Sequence, residues 1–167
     1  MALFVPDVML TSVTDITPEF LKKHGIKGLV LDVDNTLTTH GNPVPAPGVL
    51  EWIADMKRSG IQLMIVSNNT NKRVKPFADM LGLPFVSMGC KPLTFGFSRA
   101  RKRFDFTAKE IAVVGDQIFT DILGGNVKGM MTIMVTPLLM EEGGFFRLKR
   151  KMENRFIQKY QRKHAGE

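Results

Sequence analysis

Five apolar runs, at about 27–33, 61–66, 85–88, 111–114 and 131–135, alternate along this chain with segments whose apolar residues recur at helical spacing, near 47–59, 70–81, 93–104 and 118–126. Strands buried on both faces of a parallel sheet read as continuous apolar runs, and the helices between them supply the crossovers. The pattern predicts a doubly wound α/β fold, three layers deep, around a mainly parallel sheet. Pro47 stands where a first helical turn favours proline, and Gly60 and Gly82 follow their helices as stop signals. A chain of 167 residues suits a single core that buries roughly 70% of the unfolded surface, so neither a disulfide nor a structural metal is needed to fold it.

The run at 27–33 has a particular ending. KGLVLDVDNTL stops at two carboxylates one residue apart, Asp32 and Asp34, with Thr36 behind them. In a parallel sheet the crevice beyond the carboxyl ends of the strands is where ligands bind. While a strand stays regular, residues two apart point to the same side, so the two carboxylates converge there. Like charges that close need a cation between them or a shared proton. An Asp at a strand end also has an ordinary use, as a turn or helix cap.

The other strand ends add to this. The second runs into Ser67, Asn68, Asn69 and Thr70, whose polar groups fit either an anion at a helix N-terminus or a simple cap. The third is followed by Lys91 near the start of the next helix, where its charge opposes the helix dipole unless an anion faces it. The fourth ends in Gly115 and Asp116, with Asp121 one turn later. One cysteine and three histidines exclude a disulfide framework and a Cys/His zinc site, so any metal is a hard cation with oxygen ligands, such as magnesium. MALFVPDVML lacks a basic start and a long apolar region, and no apolar run reaches the ~18 residues of a membrane span, so a cytoplasmic chain is expected.

Taken in order, these segments resemble the haloacid dehalogenase superfamily of phosphohydrolases over about residues 25–136. Asp32, Asp34 and Thr36 match its first motif, Ser67 its second, Lys91 its third, and Asp116 with Asp121 its fourth, in the subclass III spacing. PEFLKKHGIKG, KPL..GF..A and GDQ..TDI.GGN together look like the YqeG-type phosphatases, which are similar in outline to the mitochondrial phosphatidylglycerophosphate phosphatases. The resemblance implies a magnesium-dependent phosphomonoesterase of Rossmann-like fold. Asp32 would be the nucleophile and Asp34 the acid/base. Ser67, Lys91 and the backbone around Val33 and Asn68 would bind phosphate, and the metal would sit on Asp32, the Asp34 carbonyl and Asp116. Asp121 and Thr36 would support them. A second carboxylate in the first motif favours phosphate esters over halides, since a halide leaves without a proton. Receiver domains share an Asp/Thr/Lys set, but their phosphorylated Asp follows the third strand.

Spacing bears on the substrate. The 35 positions from Asp32 to Ser67 and the 24 from Ser67 to Lys91 are filled by the flap, helices and strands, leaving no room for an inserted cap domain. His40 lies in that flap, and Cys90 beside Lys91 is either an inert thiol or an oxidation-sensitive one. An uncapped site suits a large or surface-presented substrate, with a small metabolite the alternative where an oligomer supplies a lid, and the resemblance makes phosphatidylglycerophosphate the favoured substrate.

Residues 1–140 are expected to form the catalytic domain and 141–167 a basic amphipathic helix or tail. Residues 145–167 carry eight Lys/Arg against two Glu, six of the seven net positive charges. Phe145, Leu148, Met152, Phe156 and Tyr160 form an apolar stripe there. Three readings stand: the stripe packs on the domain, the helix touches an anionic membrane, which would make the protein peripheral there, or it binds RNA. The competing reading of the whole chain is a non-enzymatic RNA-, ribosome- or membrane-binding module on a phosphatase scaffold.

Overall fold

A computed structural model describes residues 2–139 and 143–166. The expected domain boundary at 140/141 lies outside the described residues. In chain order the regular elements are β1 (Val8–Leu10), α1 (Pro18–Lys23), β2 (Gly28–Leu31), α2 (Val49–Arg58), β3 (Gln62–Val66), α3 (Asn71–Leu81), β4 (Phe85–Val86), α4 (Phe95–Phe104), β5 (Ile111–Gly115), α5 (Leu123–Lys128), β6 (Met131–Val135) and α6 (Gly144–His164).

All neighbouring strands are parallel, in the order β1-β6-β5-β2-β3-β4. Every residue of β2 and β5 is buried, which accounts for their unbroken apolar runs. Alternate side chains feed two cores. Leu29, Leu31, Ala112 and Val114 face α2 and α3, while Val30 and Val113 face Phe97, Ala100 and Phe104 of α4. From β2 the chain winds outward through β3 and β4, then crosses back to β5 on the other side of β2. The reversal leaves a crevice beyond the ends of β2 and β5, where open α/β sheets bind ligands.

Several expectations need correction. The sheet has a sixth strand, β1, which three residues between Pro6 and Ser12 were too short to reveal. Pro47 precedes α2, which is capped by Gly48 in the left-handed region at φ 84°. Lys91 stands four residues ahead of α4, in a loop, and not at the helix start. The segment expected as one helix at 118–126 is a π-helical turn over Ile118–Ile122 followed by the short α5.

The apolar stripe of α6 also differs from expectation. Phe145 is 76% exposed, and Leu148 and Met152 are exposed too. The face that packs is rotated by about one residue: Phe156 and Ile157 join Ile118, Ile122 and Met134, and Phe156 stacks on Phe4 at 4.9 Å. The Tyr160 hydroxyl accepts the Met9 N–H of β1 at 3.3 Å. Hydropathy misplaces this face because Arg150 and Glu153 lie on it, and both are engaged inward. No helix among the described residues is long and apolar enough to cross a membrane.

Candidate active site

Asp32 directly follows β2, its N–H bonded to the Val114 carbonyl of β5 at 3.0 Å, so it sits at the switch point. Lys91 reaches it from the β4–α4 loop: Nζ donates to Asp32 Oδ1 at 2.8 Å and to Asp121 Oδ1 at 2.6 Å, with only 3% of the side chain exposed. The π-turn explains how Asp121 gets there. Its wider turn points the Asp121 carboxylate back toward β5, where Oδ2 accepts the Gln117 N–H at 3.3 Å. The preceding glycine is a spatial necessity, since a Cβ on Gly115 would meet Asp121 Cγ at 2.2 Å.

The two carboxylates of the first motif have different hydrogen-bond partners. The Asp34 carboxylate turns to the flap and α3, where Oδ1 accepts from the Gly41 N–H at 2.9 Å and from Arg73 Nη2 at 2.9 Å, and Oδ2 accepts from Asn69. The same Arg73 nitrogen donates to the Asn42 carbonyl at 2.8 Å, tying flap to helix. The strand ends at Leu31, so period-2 geometry no longer applies by residue 34.

Ser67 is buried after β3, its hydroxyl oxygen accepting the Asn69 N–H at 3.2 Å. The Asn68 side chain spans the Lys91 backbone, accepting its N–H at 2.7 Å and donating to its carbonyl at 3.0 Å. It therefore braces the lysine loop. The Thr36 hydroxyl is buried without a hydrogen-bond partner. Asp32, Asp34, His40, Ser67, Asn68, Asn69 and Lys91, with Gln117, Thr120 and Phe146, line a cavity of about 130 Å³. Cys90 is exposed, donating its thiol to the Met88 carbonyl.

Asp32, Asp116 and Asp121 each present an oxygen within 4.8 Å of the others. Oxygens sharing one magnesium at 2.0–2.1 Å stand at most about 4.2 Å apart, so a small closure would suffice. The donors are all oxygens, and Asp116 Oδ1 is buried with no hydrogen-bond partner. These residues fit a hard divalent cation.

The electrostatics agree. Burial raises the Asp32 pKa to about 6 against the pull of Lys91. Burial and then Asp32 raise Asp116 to about 7, opposed by Arg150. Burial also raises Asp121, again opposed by Lys91. For Lys91 itself burial favours the neutral amine, but Asp121 and Asp32 reverse this and hold it above the ordinary lysine value.

Acids raised on folding bind more protons in the folded state. Their contribution to stability is full below the ordinary carboxylate pKa and is lost as pH rises through 6 to 7. Chelator-treated protein should therefore melt lower at pH 8 than at pH 5, and magnesium should raise the melting temperature more at pH 8. Calorimetry at both pH values checks this, and equal magnesium increments would contradict it.

Sequence reasoning missed Arg73, Gln117, Thr120, Phe146, Arg150 and Glu153. The signal for the last two was the spacing of Phe146, Arg150, Glu153, Ile157 and Tyr160, a helical face interrupted by one ion pair.

Comparisons with known proteins point to one family. The family model of haloacid dehalogenase-like hydrolases matches residues 41–127, and that of mitochondrial PGP phosphatases matches residues 1–78. The chain is 40% identical over 160 residues to "Probable phosphatase YqeG" of Bacillus subtilis (strain 168), covering 96% of this chain and 93% of that one. It is 29% identical to "Phosphatidylglycerophosphate phosphatase 1, chloroplastic/mitochondrial" of Arabidopsis thaliana over 95% of this chain and 49% of the longer plant protein. Among solved structures, CbbY from Rhodobacter sphaeroides shares the fold at TM-score 0.54 and 14% identity, covering 68% of this chain and 87% of that one. The chain belongs to the haloacid dehalogenase-like hydrolases, as a phosphatase related to the phosphatidylglycerophosphate phosphatases.

Proposed function

We propose that the protein is a magnesium-dependent phosphomonoesterase that works through an aspartyl-phosphate on Asp32, with phosphatidylglycerophosphate as its substrate. The observation that carries the chemistry is the buried meeting of Asp32, Lys91, Asp116 and Asp121 at the switch point. Asp32 and Asp116, with the Asp34 carbonyl, would hold the metal. Bound there, magnesium would supply charge neutralisation for the phosphate and the carboxylates.

An Asp32 oxygen attacks phosphorus as the bond to the leaving alkoxide breaks, and Asp34 gives the alkoxide its proton. Asp34 then takes a proton from water, which attacks phosphorus and releases inorganic phosphate and the Asp32 carboxylate. Ser67, Lys91 and the backbone N–H groups near Val33 and Asn68 steady the equatorial oxygens. Arg73 and Asn69 hold Asp34 in place. Lys91 is fixed by two carboxylates and by the Asn68 brace.

Three observations support a lipid substrate. The cavity of about 130 Å³ lies below the ~300 Å³ of ordinary small-molecule sites, so it holds the reacting group and leaves the rest outside. Exposed Val44, Met88, Leu139 and Phe145 stand on the flap, the lysine loop and the segments beside Asn35 and Phe146, all site-lining elements. The outer face of α6 adds Leu148, Arg147, Lys151 and Arg155, an apolar and basic mixture suited to an anionic bilayer surface. The relatives named for phosphatidylglycerophosphate point the same way.

The test is a phosphatase panel with and without magnesium, comparing an aryl phosphate, soluble glycerol phosphate and phosphatidylglycerophosphate in mixed micelles. All activity should require the metal, with the highest kcat/KM on the lipid. Failure on every phosphomonoester would sink the enzyme reading, whereas equal activity on the lipid and its soluble head group would remove only the lipid assignment.

A further inference from the structure

We propose that Arg150 of α6 is a positioning residue for Asp116, aiming one carboxylate oxygen of that side chain at the divalent metal. The inference rests on the metal-dependent reading of the site and goes beyond it, because α6 lies outside every motif that reading uses.

The geometry is a two-sided clamp. Arg150 Nη2 donates to Asp116 Oδ2 at 2.8 Å, and Nη1 donates to the Asp116 backbone carbonyl at 2.9 Å. On its other side Nη1 donates to Glu153 Oε2 at 2.9 Å. The remaining Glu153 oxygen accepts the Ile118 N–H at 3.0 Å, which ties the arginine to the first residue of the π-turn carrying Asp121. Asp116 and Glu153 are both fully buried. Lys149 reinforces the contact through Gln117 Oε1.

With Oδ2 taken, Oδ1 is the Asp116 oxygen left for a metal, and it is the one that is buried without a partner. A guanidinium is suited to this task because its rigid fork fixes both the carboxylate and the backbone of one residue at once. An ammonium also has several donors, but it lacks the planar fork that sets their directions, so it fixes the carboxylate orientation less firmly. Groups that orient metal ligands in this way typically change metal affinity by about 10–100-fold when removed. A competing possibility is that the arginine merely glues α6 to the domain, and another is that its charge opposes the metal. These three give different affinities.

Manganese and magnesium binding to metal-free protein, measured by titration calorimetry, separates them. Arg150→Ala should weaken binding about 10–100-fold, and added guanidinium ion should recover part of the loss. Arg150→Lys should also bind more weakly than wild type, and it carries the test if the alanine variant does not fold. Phe156→Ala, which removes an anchor of the same helix, should lower the melting temperature and leave metal affinity unchanged. Unchanged or tighter binding in the Arg150 variants would overturn the proposal, as would an equal loss in Phe156→Ala. A wild-type protein that bound no divalent ion would overturn it together with the metal reading, so the two failures are distinguishable.

Discussion

Replacing Asp32 by Asn should reduce phosphatase turnover by roughly 10⁴-fold or more while leaving the fold intact, because an amide of the same shape cannot attack phosphorus. The structure gives a reason to expect a folded variant. Asp32 belongs to a crowded set in which burial, with the neighbouring Asp121 adding to it, raises its pKa to about 6 against the pull of Lys91. Removing its charge relieves that crowding, and Lys91 keeps Asp121 at 2.6 Å. The melting temperature in chelator should therefore hold or rise, even as activity is lost. Intact-mass spectrometry after rapid quenching should find one phosphoryl group on the wild type and none on the variant. Activity close to wild type in Asp32→Asn would remove Asp32 from the role of nucleophile.

Lys91→Met should have the opposite signature, a large loss of stability as well as of activity. Lys91 is the cation between two buried carboxylates. Removing one partner from a buried ionic cluster costs about 3–5 kcal/mol, because the remaining charges stay in a medium that solvates them poorly. For a chain of this size that amounts to a fall of roughly 6–20 °C in melting temperature. Acidification should shrink the deficit, since the orphaned carboxylates of Asp32 and Asp121 can then take up protons. A melting temperature within a degree or two of wild type at pH 8 in chelator would show that the cluster is less dry than its burial indicates.

The sequence was most informative where one local rule and the whole fold agree. Residues 27–33 and 111–114 read as buried strands because β2 and β5 lie at the centre of the sheet with both faces covered. The carboxylates, Ser67 and Lys91 could be placed at one sheet edge because parallel strands all end on the same side. Direction beyond the strand ends was not legible. The strand has already stopped before Asp34, so Asn69 and Arg73, rather than pleating, decide where its carboxylate goes. The Asn68 side chain is spent on the Lys91 backbone, a partner 23 residues away that no local spacing announces.

Edges were also hard to read. The three residues of β1 carry too little periodicity to stand out, and they are a strand only because β6 pairs with them. The π-turn adds one residue to a helical pattern and so looks like an ordinary helix start. In α6, hydropathy assigned charged residues to solvent as a class, while Arg150 and Glu153 face inward because each satisfies the other and both satisfy the domain. Pairing decides the burial of charge, and pairing across 34 residues, from Asp116 to Arg150, is invisible to a local window.

The docking of α6 against the start of the chain bears on how the protein is made. Phe156 stacks on Phe4, Tyr160 meets Met9, and Phe146 walls the cavity that Asp32 opens. A ribosome delivers Asp32 early and Arg150 118 positions later, an interval of roughly 6–24 s at ordinary elongation rates. Through that interval the nascent chain carries Asp32 without the wall that Phe146 adds to its cavity. The order of synthesis thus leaves the cavity around Asp32 incomplete until α6 has emerged and folded back.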